Sequence, residues 1–252
     1  MNHEALLPSL CEIARQAGGL IMPYYHTNIE VITKSDASPV TIADKAADAC
    51  IIEHIRRLTP EILIVSEEGE QPDVAGADYF WLIDPLDGTR SFIRGSGYFT
   101  VNIGLIGKNR QPVLGVIYEP VGKTLYYGSR QGAFKQEAGI TTPIRVTNNP
   151  KPDSAYLSHT HADSKTESWL QQHHIEQRFP CASSIKFCFV AEGKADAYPR
   201  FGATMEWDTA AGHAILNAAG GKVLNPDGTD FAYQKAWFRN GSFIACGYRF
   251  FS

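Results

Sequence analysis

Residues 79–89 read Tyr79-Phe80-Trp81-Leu82-Ile83-Asp84-Pro85-Leu86-Asp87-Gly88-Thr89. Five apolar residues end abruptly in a carboxylate, the pattern of a buried strand reaching its edge. Pro85 restricts the chain after the strand, and Gly88 opens a backbone conformation closed to larger residues, so Asp84 and Asp87 are expected to turn toward one site. A helix starting at Thr89 would bring the amides of Gly88 and Thr89 to the same place, where they suit a phosphate oxygen. Taken alone, Asp-x-x-Asp-Gly-Thr is more often a turn leading into a capped helix, so its surroundings decide.

Upstream, Leu6, Leu7, Leu10, Ile13, Ala14, Ala17, Leu20, Ile21 and Tyr24 recur at three- and four-residue steps and predict an amphipathic helix. A second helix is expected over 41–58, with Thr41 and Asp44 spaced as an N-terminal capping box. Ile62 to Val65 reads as a strand ending at Ser66-Glu67-Glu68. Downstream, residues 99–105, 113–118 and 124–127 alternate between turns and predict an antiparallel meander.

The stretch 141–152 is rich in Pro, Asn and Thr and is the expected junction between an N-terminal part, 1–142, and a C-terminal part, 143–252. Beyond it come a strand at 155–158, a helix around 165–174, a helix at 184–192, a strand near 195–198 and a helix at 209–219 closed by Gly220-Gly221. Helices beside antiparallel strands, followed by an alternating half, make this a layered sandwich of the α+β or α/β class.

Composition narrows the function. The chain has 252 residues, ordinary apolar content and a net charge of −4, with no basic face for the counterion release that drives binding of a nucleic-acid polymer. Five widely spaced cysteines without a Cys-x-x-Cys pair suit a reducing cytoplasm. No stretch approaches the roughly 20 apolar residues of a transmembrane segment. Peripheral attachment to the cytoplasmic side of a membrane and the oligomeric state stay open. Phosphate-binding P-loop and Gly-x-Ser-x-Gly elements are absent. His159-x-His161 and His173-His174 lack the spacing of a closed zinc site.

What remains is acidic. Glu67-Glu68, Asp84, Asp87 and Asp208 stand at the ends of expected strands or the start of an expected helix. Carboxylates on rigid ends suit a hard cation such as Mg²⁺ with room left for phosphate and water, the equipment of metal-assisted phosphoryl hydrolysis. Each group alone reads as a solvated loop or a helix cap.

Together, in order, they resemble the inositol monophosphatase superfamily of magnesium-dependent, lithium-sensitive phosphatases. The resemblance rests on Pro39-Val40-Thr41-Ile42-Ala43-Asp44, Ser66-Glu67-Glu68, 81–89 and Glu206-Trp207-Asp208-Thr209-Ala210-Ala211-Gly212-His213. It implies a sugar-phosphatase fold of alternating α-β-α-β-α layers. It also implies two or three Mg²⁺ per site: one held by Glu67, Asp84 and the Leu86 carbonyl, a second by Asp84, Asp87 and Asp208, and a weaker third near Glu67. Thr89 and Asp44 match the threonine and aspartate that activate water, which implies direct hydrolysis.

Residues 183–202 resemble the 3'(2'),5'-bisphosphate nucleotidase branch, the CysQ type. Its implied substrate is adenosine 3',5'-bisphosphate (PAP), split to AMP and phosphate in support of sulfur metabolism, with phosphoadenylyl sulfate (PAPS) as a further candidate. A second phosphate needs cationic or hydroxyl donors, for which Ser184, Lys186 and Arg200 are the candidates, beside Glu67, Leu86, Asp87, Gly88, Thr89 and Asp208 at the metals. Arg90 and Ser91 depart from that branch's usual residues and put its fine specificity in question. An inositol or sugar monophosphatase, and a phospho-ligand sensor without turnover, are the alternatives.

Overall fold

The computed structural model describes residues 3–34, 39–149, 151–158 and 163–247. Within it the first apolar stripe coils into helix α1, Leu7–Ile21, with Pro8 in its first turn, where a missing amide costs nothing. Helix α2, Ile42–Leu58, starts at the expected capping box: Thr41 Oγ1 accepts from the Ala43 amide, and Asp44 Oδ2 accepts from the Thr41 amide at 2.8 Å. Four more helices follow among the described residues, α3 (Thr89–Ile93), α4 (Ser164–Gln172), α5 (Ile185–Ala191) and α6 (Ala210–Ala218).

The strands form two principal sheets. The larger runs in chain order from Leu63–Ser66 through Tyr79–Asp87, Thr100–Gly107, Pro112–Glu119, Thr124–Ser129 and Gly132–Glu137 to Ile140–Ile144. Its first pair is parallel and the rest antiparallel. The smaller has the order Gln177–Cys181, Ser154–Ser158, Ala197–Arg200, Phe243–Cys246 and Lys222–Leu224.

Apolar burial stacks these parts in five layers. Leu10, Ile13 and Ile21 of α1 and Ala47, Ile51 and Ile55 of α2 pack on Trp81, Ile83, Val101, Ile103 and Val116 of the large sheet. The opposite face, with Phe80, Leu82, Ile106 and Ile117, meets Phe187 of α5 and Ala211 and Ile215 of α6, which also touch Tyr198, Val223 and Phe243. Trp169 and Leu170 of α4 cover the outer face of the small sheet at Ala155, Ala197 and Ile244. The order is α-β-α-β-α, as the resemblance implied.

Two local features place the site. The strand 79–87 pairs Asp84 with Asn102 and Asp87 with Thr100, so three steps on one strand match two on its neighbour. Residues three apart on a regular strand face opposite sides; the extra residue of this bulge turns both carboxylates the same way. Second, Gly104, Gly115 and Gly128 are direct partners across three adjacent strands. A Cβ on Gly115 would stand 2.3 Å from Ala211 O, and one on Gly104 2.8 Å from Ala210 Cβ, so α6 rests on bare backbone.

Several elements differ from the sequence reading. Residues 141–143, read as the start of a junction, belong to the edge strand Ile140–Ile144, where Pro143 is tolerated because an edge leaves some amides unpaired. The hairpin Val31–Thr33 with Pro39–Thr41 and the strand Gly132–Glu137 carried too little apolar alternation to be read. His159 and His161 lie outside the described residues.

Candidate active site

The cleft at the carboxyl end of the 79–87 strand has a volume of about 470 Å³ and is lined by residues from both halves of the chain. Asp87 and Asp208 line it and Asp84 is buried against them, one carboxylate oxygen of each lying within 4.8 Å of the others. Asp84 is only 1% exposed, and its Oδ1 accepts from the Leu86 amide at 3.0 Å. Asp87 Oδ2 accepts from the Ser184 amide, and Asp208 Oδ2 from the Met205 amide at 2.7 Å. The expected cap of α6 is Thr209 rather than Asp208, which is thereby left for the cleft.

Burial pushes the carboxyls of Asp84, Asp87 and Asp208 above the usual carboxylate range. For Asp84 and Asp208 the neighbouring acids add to the rise, while Lys186 and the Ser184 bonds oppose it at Asp87. Such a group is costly without a cation. The donor set is all oxygen and suits a hard divalent ion. The residues present therefore fit a metal of that class.

Glu67 lines the same cleft, but its Oε1 is held by Lys34 Nζ at 2.9 Å, and the same ammonium reaches Glu68 Oε1 at 2.5 Å. Burial drives Glu68 up to about 7 against the pull of Lys34. Lys34 was not singled out in the sequence; a lone lysine in a polar loop carries no signal there.

Thr89 Oγ1 lies 3.1 Å from Asp44 Oδ1 and 3.1 Å from the Leu86 carbonyl oxygen. Asp44 is 1% exposed and also accepts from Thr41 Oγ1 at 2.6 Å. Burial raises its pKa, and the bonds from Thr41 and Thr89 oppose that rise. Gly88 has φ 92°, and a Cβ there would meet Tyr98 O at 2.8 Å, so glycine is required where the strand turns into α3.

From the second half, Ser184 is buried under Asp87: its amide bonds that carboxylate, and its Oγ donates to Asn102 Oδ1 at 2.7 Å while standing 2.8 Å from Thr100 Oγ1. Both of these partners belong to the large sheet. Lys186 is buried, with Nζ donating to the Ser183 carbonyl and lying 4.9 Å from the centre of the Tyr198 ring. Desolvation lowers its pKa to about 8, against the fields of Cys181, Asp87 and Asp208. Arg200 lines the cleft with Nη2 on the Ala203 carbonyl at 3.4 Å, and its buried Nε has no partner among the described residues.

The loop that presents Asp208 is tied down from behind. Glu206, fully buried, accepts from the amides of Gln234 and Lys235 at 3.0 and 2.9 Å. Asn240 Nδ2 donates to the Met205 carbonyl at 2.7 Å, and Tyr233 OH donates to Thr209 Oγ1 at 3.3 Å. His213 Nδ1 is 3.1 Å from that tyrosine oxygen, which makes it a packed helix residue away from the cleft wall.

With this geometry in place, comparison with known proteins is decisive. The model of the inositol monophosphatase family matches residues 2–247. The chain belongs to the inositol monophosphatase family. Relatives include a protein of Salmonella typhimurium named 3'(2'),5'-bisphosphate nucleotidase CysQ, 44% identical over 97% of this chain and 98% of that one. The protein of the same name from Escherichia coli K12 is 42% identical with the same coverage. Among solved structures, CysQ from Bacteroides thetaiotaomicron superposes with a TM-score of 0.84 at 36% identity, covering 96% of this chain and 97% of that one. An inositol monophosphatase from Anabaena gives 0.76 at 28%, covering 97% and 91%. In this family, which is metal-dependent, the acidic group and its cleft mark the candidate active site.

No helix among the described residues is long and apolar enough to cross a membrane.

Proposed function

We propose that the chain is a Mg²⁺-dependent 3'(2'),5'-bisphosphate nucleotidase that hydrolyses adenosine 3',5'-bisphosphate to AMP and phosphate. The observation that carries the reading is the clustering of Asp84, Asp87 and Asp208 at a cleft whose other wall holds the buried Lys186 and the half-buried Arg200. The names of relatives at 42% and 44% identity support the same substrate class. PAPS, which carries the same 3'-phosphate, is a second substrate to be tested.

In this reading Asp84, Asp87, Asp208, Glu67 and the Leu86 carbonyl hold two or three Mg²⁺. When bound, the metal lowers the pKa of water and offsets charge on the phosphate. The protein's own groups do the rest. Thr89 Oγ1, bonded to Asp44, accepts a proton from the attacking water as it passes its own to the Asp44 carboxylate. Gly88 and Thr89, at the start of α3, border the phosphate position, and Ser184 fixes the Asp87 rotamer from beneath. Lys186 and Arg200 face the second phosphate from the C-terminal half.

The test is a set of initial rates on adenosine 3',5'-bisphosphate, PAPS, AMP, inositol 1-phosphate and fructose 1,6-bisphosphate, with Mg²⁺ and with added Li⁺. A preference of at least tenfold in kcat/KM for the adenosine bisphosphate, inhibited by Li⁺, is expected. A preference for inositol 1-phosphate overturns the substrate, and absence of turnover on all five overturns the enzyme in favour of a phospho-ligand sensor.

A further inference from the structure

The N-terminal wall of the cleft carries two cations that the proposed chemistry does not use. Arg90 and Arg94 both line the cleft, on and just beyond α3, and the Arg94 amide bonds the Arg90 carbonyl at 3.2 Å. Residues four apart on a helical turn share a face. Like charges so placed oppose the helix. Yet in a chain with 27 acidic residues neither arginine forms an ion pair or side-chain hydrogen bond among the described residues. Ser91 and Ser96 complete this wall.

The cations across the cleft are less free. Lys186 has one donor on the Ser183 carbonyl, stands over the face of Tyr198, and directs part of its field to Asp87 and Asp208. Arg200 has one nitrogen on the Ala203 carbonyl. Arg90 and Arg94 retain all their donors, and a guanidinium fork matches phosphate oxygens. Position agrees with chemistry. Thr89 marks the phosphate end of the motif, and from it to Arg94 the helix rises about 7 Å, the scale of a sugar bearing phosphates on two of its carbons.

We infer that Arg90 and Arg94 form an anion subsite that closes on the second phosphate of the substrate from the side opposite Lys186 and Arg200, so that the turn following the metal motif shares in selecting a bisphosphate over a monophosphate. The inference rests on the nucleotidase reading above and adds the residues that discriminate.

The experiment compares wild type with Arg90→Ala, Arg94→Ala, the double variant and Arg94→Lys on two substrates, adenosine 3',5'-bisphosphate and adenosine 3'-monophosphate, which lacks only the distal phosphate. Each alanine variant is expected to raise KM for the bisphosphate about tenfold and the pair about a hundredfold, with kcat changed less than twofold. KM for the monophosphate is expected to move less than twofold, and Arg94→Lys to recover part of the loss. Equal changes on both substrates, or none on the bisphosphate, overturn the subsite while leaving the nucleotidase reading intact. A wild-type protein that does not prefer the bisphosphate overturns both. Unchanged melting temperatures confirm that the exposed substitutions leave the fold alone.

Discussion

Thr89 Oγ1 stands equidistant, at 3.1 Å, from a carboxylate oxygen of Asp44 and from the Leu86 carbonyl oxygen. A hydroxyl has one proton, so it can be released toward the carboxylate while the oxygen lone pairs receive another. Asp44→Asn keeps the shape and removes the acceptor. It is expected to lower kcat about a hundredfold or more with little change in the Mg²⁺ concentration giving half activity. Thr89→Ala should behave likewise, and Thr89→Ser should retain most activity. A shift in Mg²⁺ dependence equal to the loss in rate would reassign the pair to metal binding.

The buried carboxylates predict how metal and pH act on stability. Asp84, Asp87 and Asp208 have folded-state pKa values above their unfolded ones, so the folded chain holds more protons and is destabilised as pH rises through that raised range. Mg²⁺ binding to the folded state offsets this. The rise in melting temperature on adding Mg²⁺ is expected to be larger at pH 8 than at pH 5.5. Asp87→Asn should raise the metal-free melting temperature by a few degrees, about 1–2 kcal/mol for a chain of this size, and abolish turnover. A metal-free variant less stable than wild type would contradict the account.

His213 titrates in the opposite sense. Burial lowers its pKa to about 3, so below the unfolded value of 6.5 the unfolded chain takes a proton that the folded chain refuses, and stability is lost as pH falls. Between pH 7 and pH 5 this contributes about 2 kcal/mol of destabilisation. A His213→Gln variant, less stable at neutral pH for want of the bond to Tyr233, should lose correspondingly less over that interval in denaturant titrations. Parallel pH profiles would show that the histidine is already protonated when folded.

The glycine row gives a steric test. Gly115→Ala forces a methyl to within 2.3 Å of Ala211 O unless α6 moves, and overpacking of this kind costs about 1–3 kcal/mol. Because α6 follows directly on Asp208, the half-saturating Mg²⁺ concentration should rise together with the loss of stability. Gly19→Ala, where a methyl meets nothing within 4 Å, serves as the control and should stabilise slightly.

Lys186→Ala removes a buried ammonium from beside Asp87 and Asp208. It is expected to raise KM for adenosine 3',5'-bisphosphate well beyond its effect on inositol 1-phosphate, measured at saturating Mg²⁺. Equal effects would confine Lys186 to balancing the carboxylates.

What the sequence disclosed and what it withheld follow from range. The capping box at Thr41 and Asp44 is local, four residues long, and was legible with its partners. That the same Asp44 also faces Thr89 depends on a contact between residues 45 positions apart, and nothing in the spacing shows it. The carboxylate set was recognisable because strand ends and motif order survive in one dimension. The partners of those carboxylates were not: Lys34 on Glu67 and the Ser184 amide on Asp87 come from separate loops. Gly104, Gly115 and Gly128 look like three scattered glycines until strand register lines them up. Arg94 carries no mark of its own in the sequence, and only the fold puts it on the cleft wall.

The bulge between Asp84 and Asp87 carries a last consequence. Two aspartates at an odd separation act together only because one uncounted residue restores even parity to the strand. The number of residues between them is therefore as strictly set as the two carboxylates themselves. Adding or deleting a single residue there would swing one carboxylate to the face where Trp81 and Ile83 pack, and the site would lose a corner.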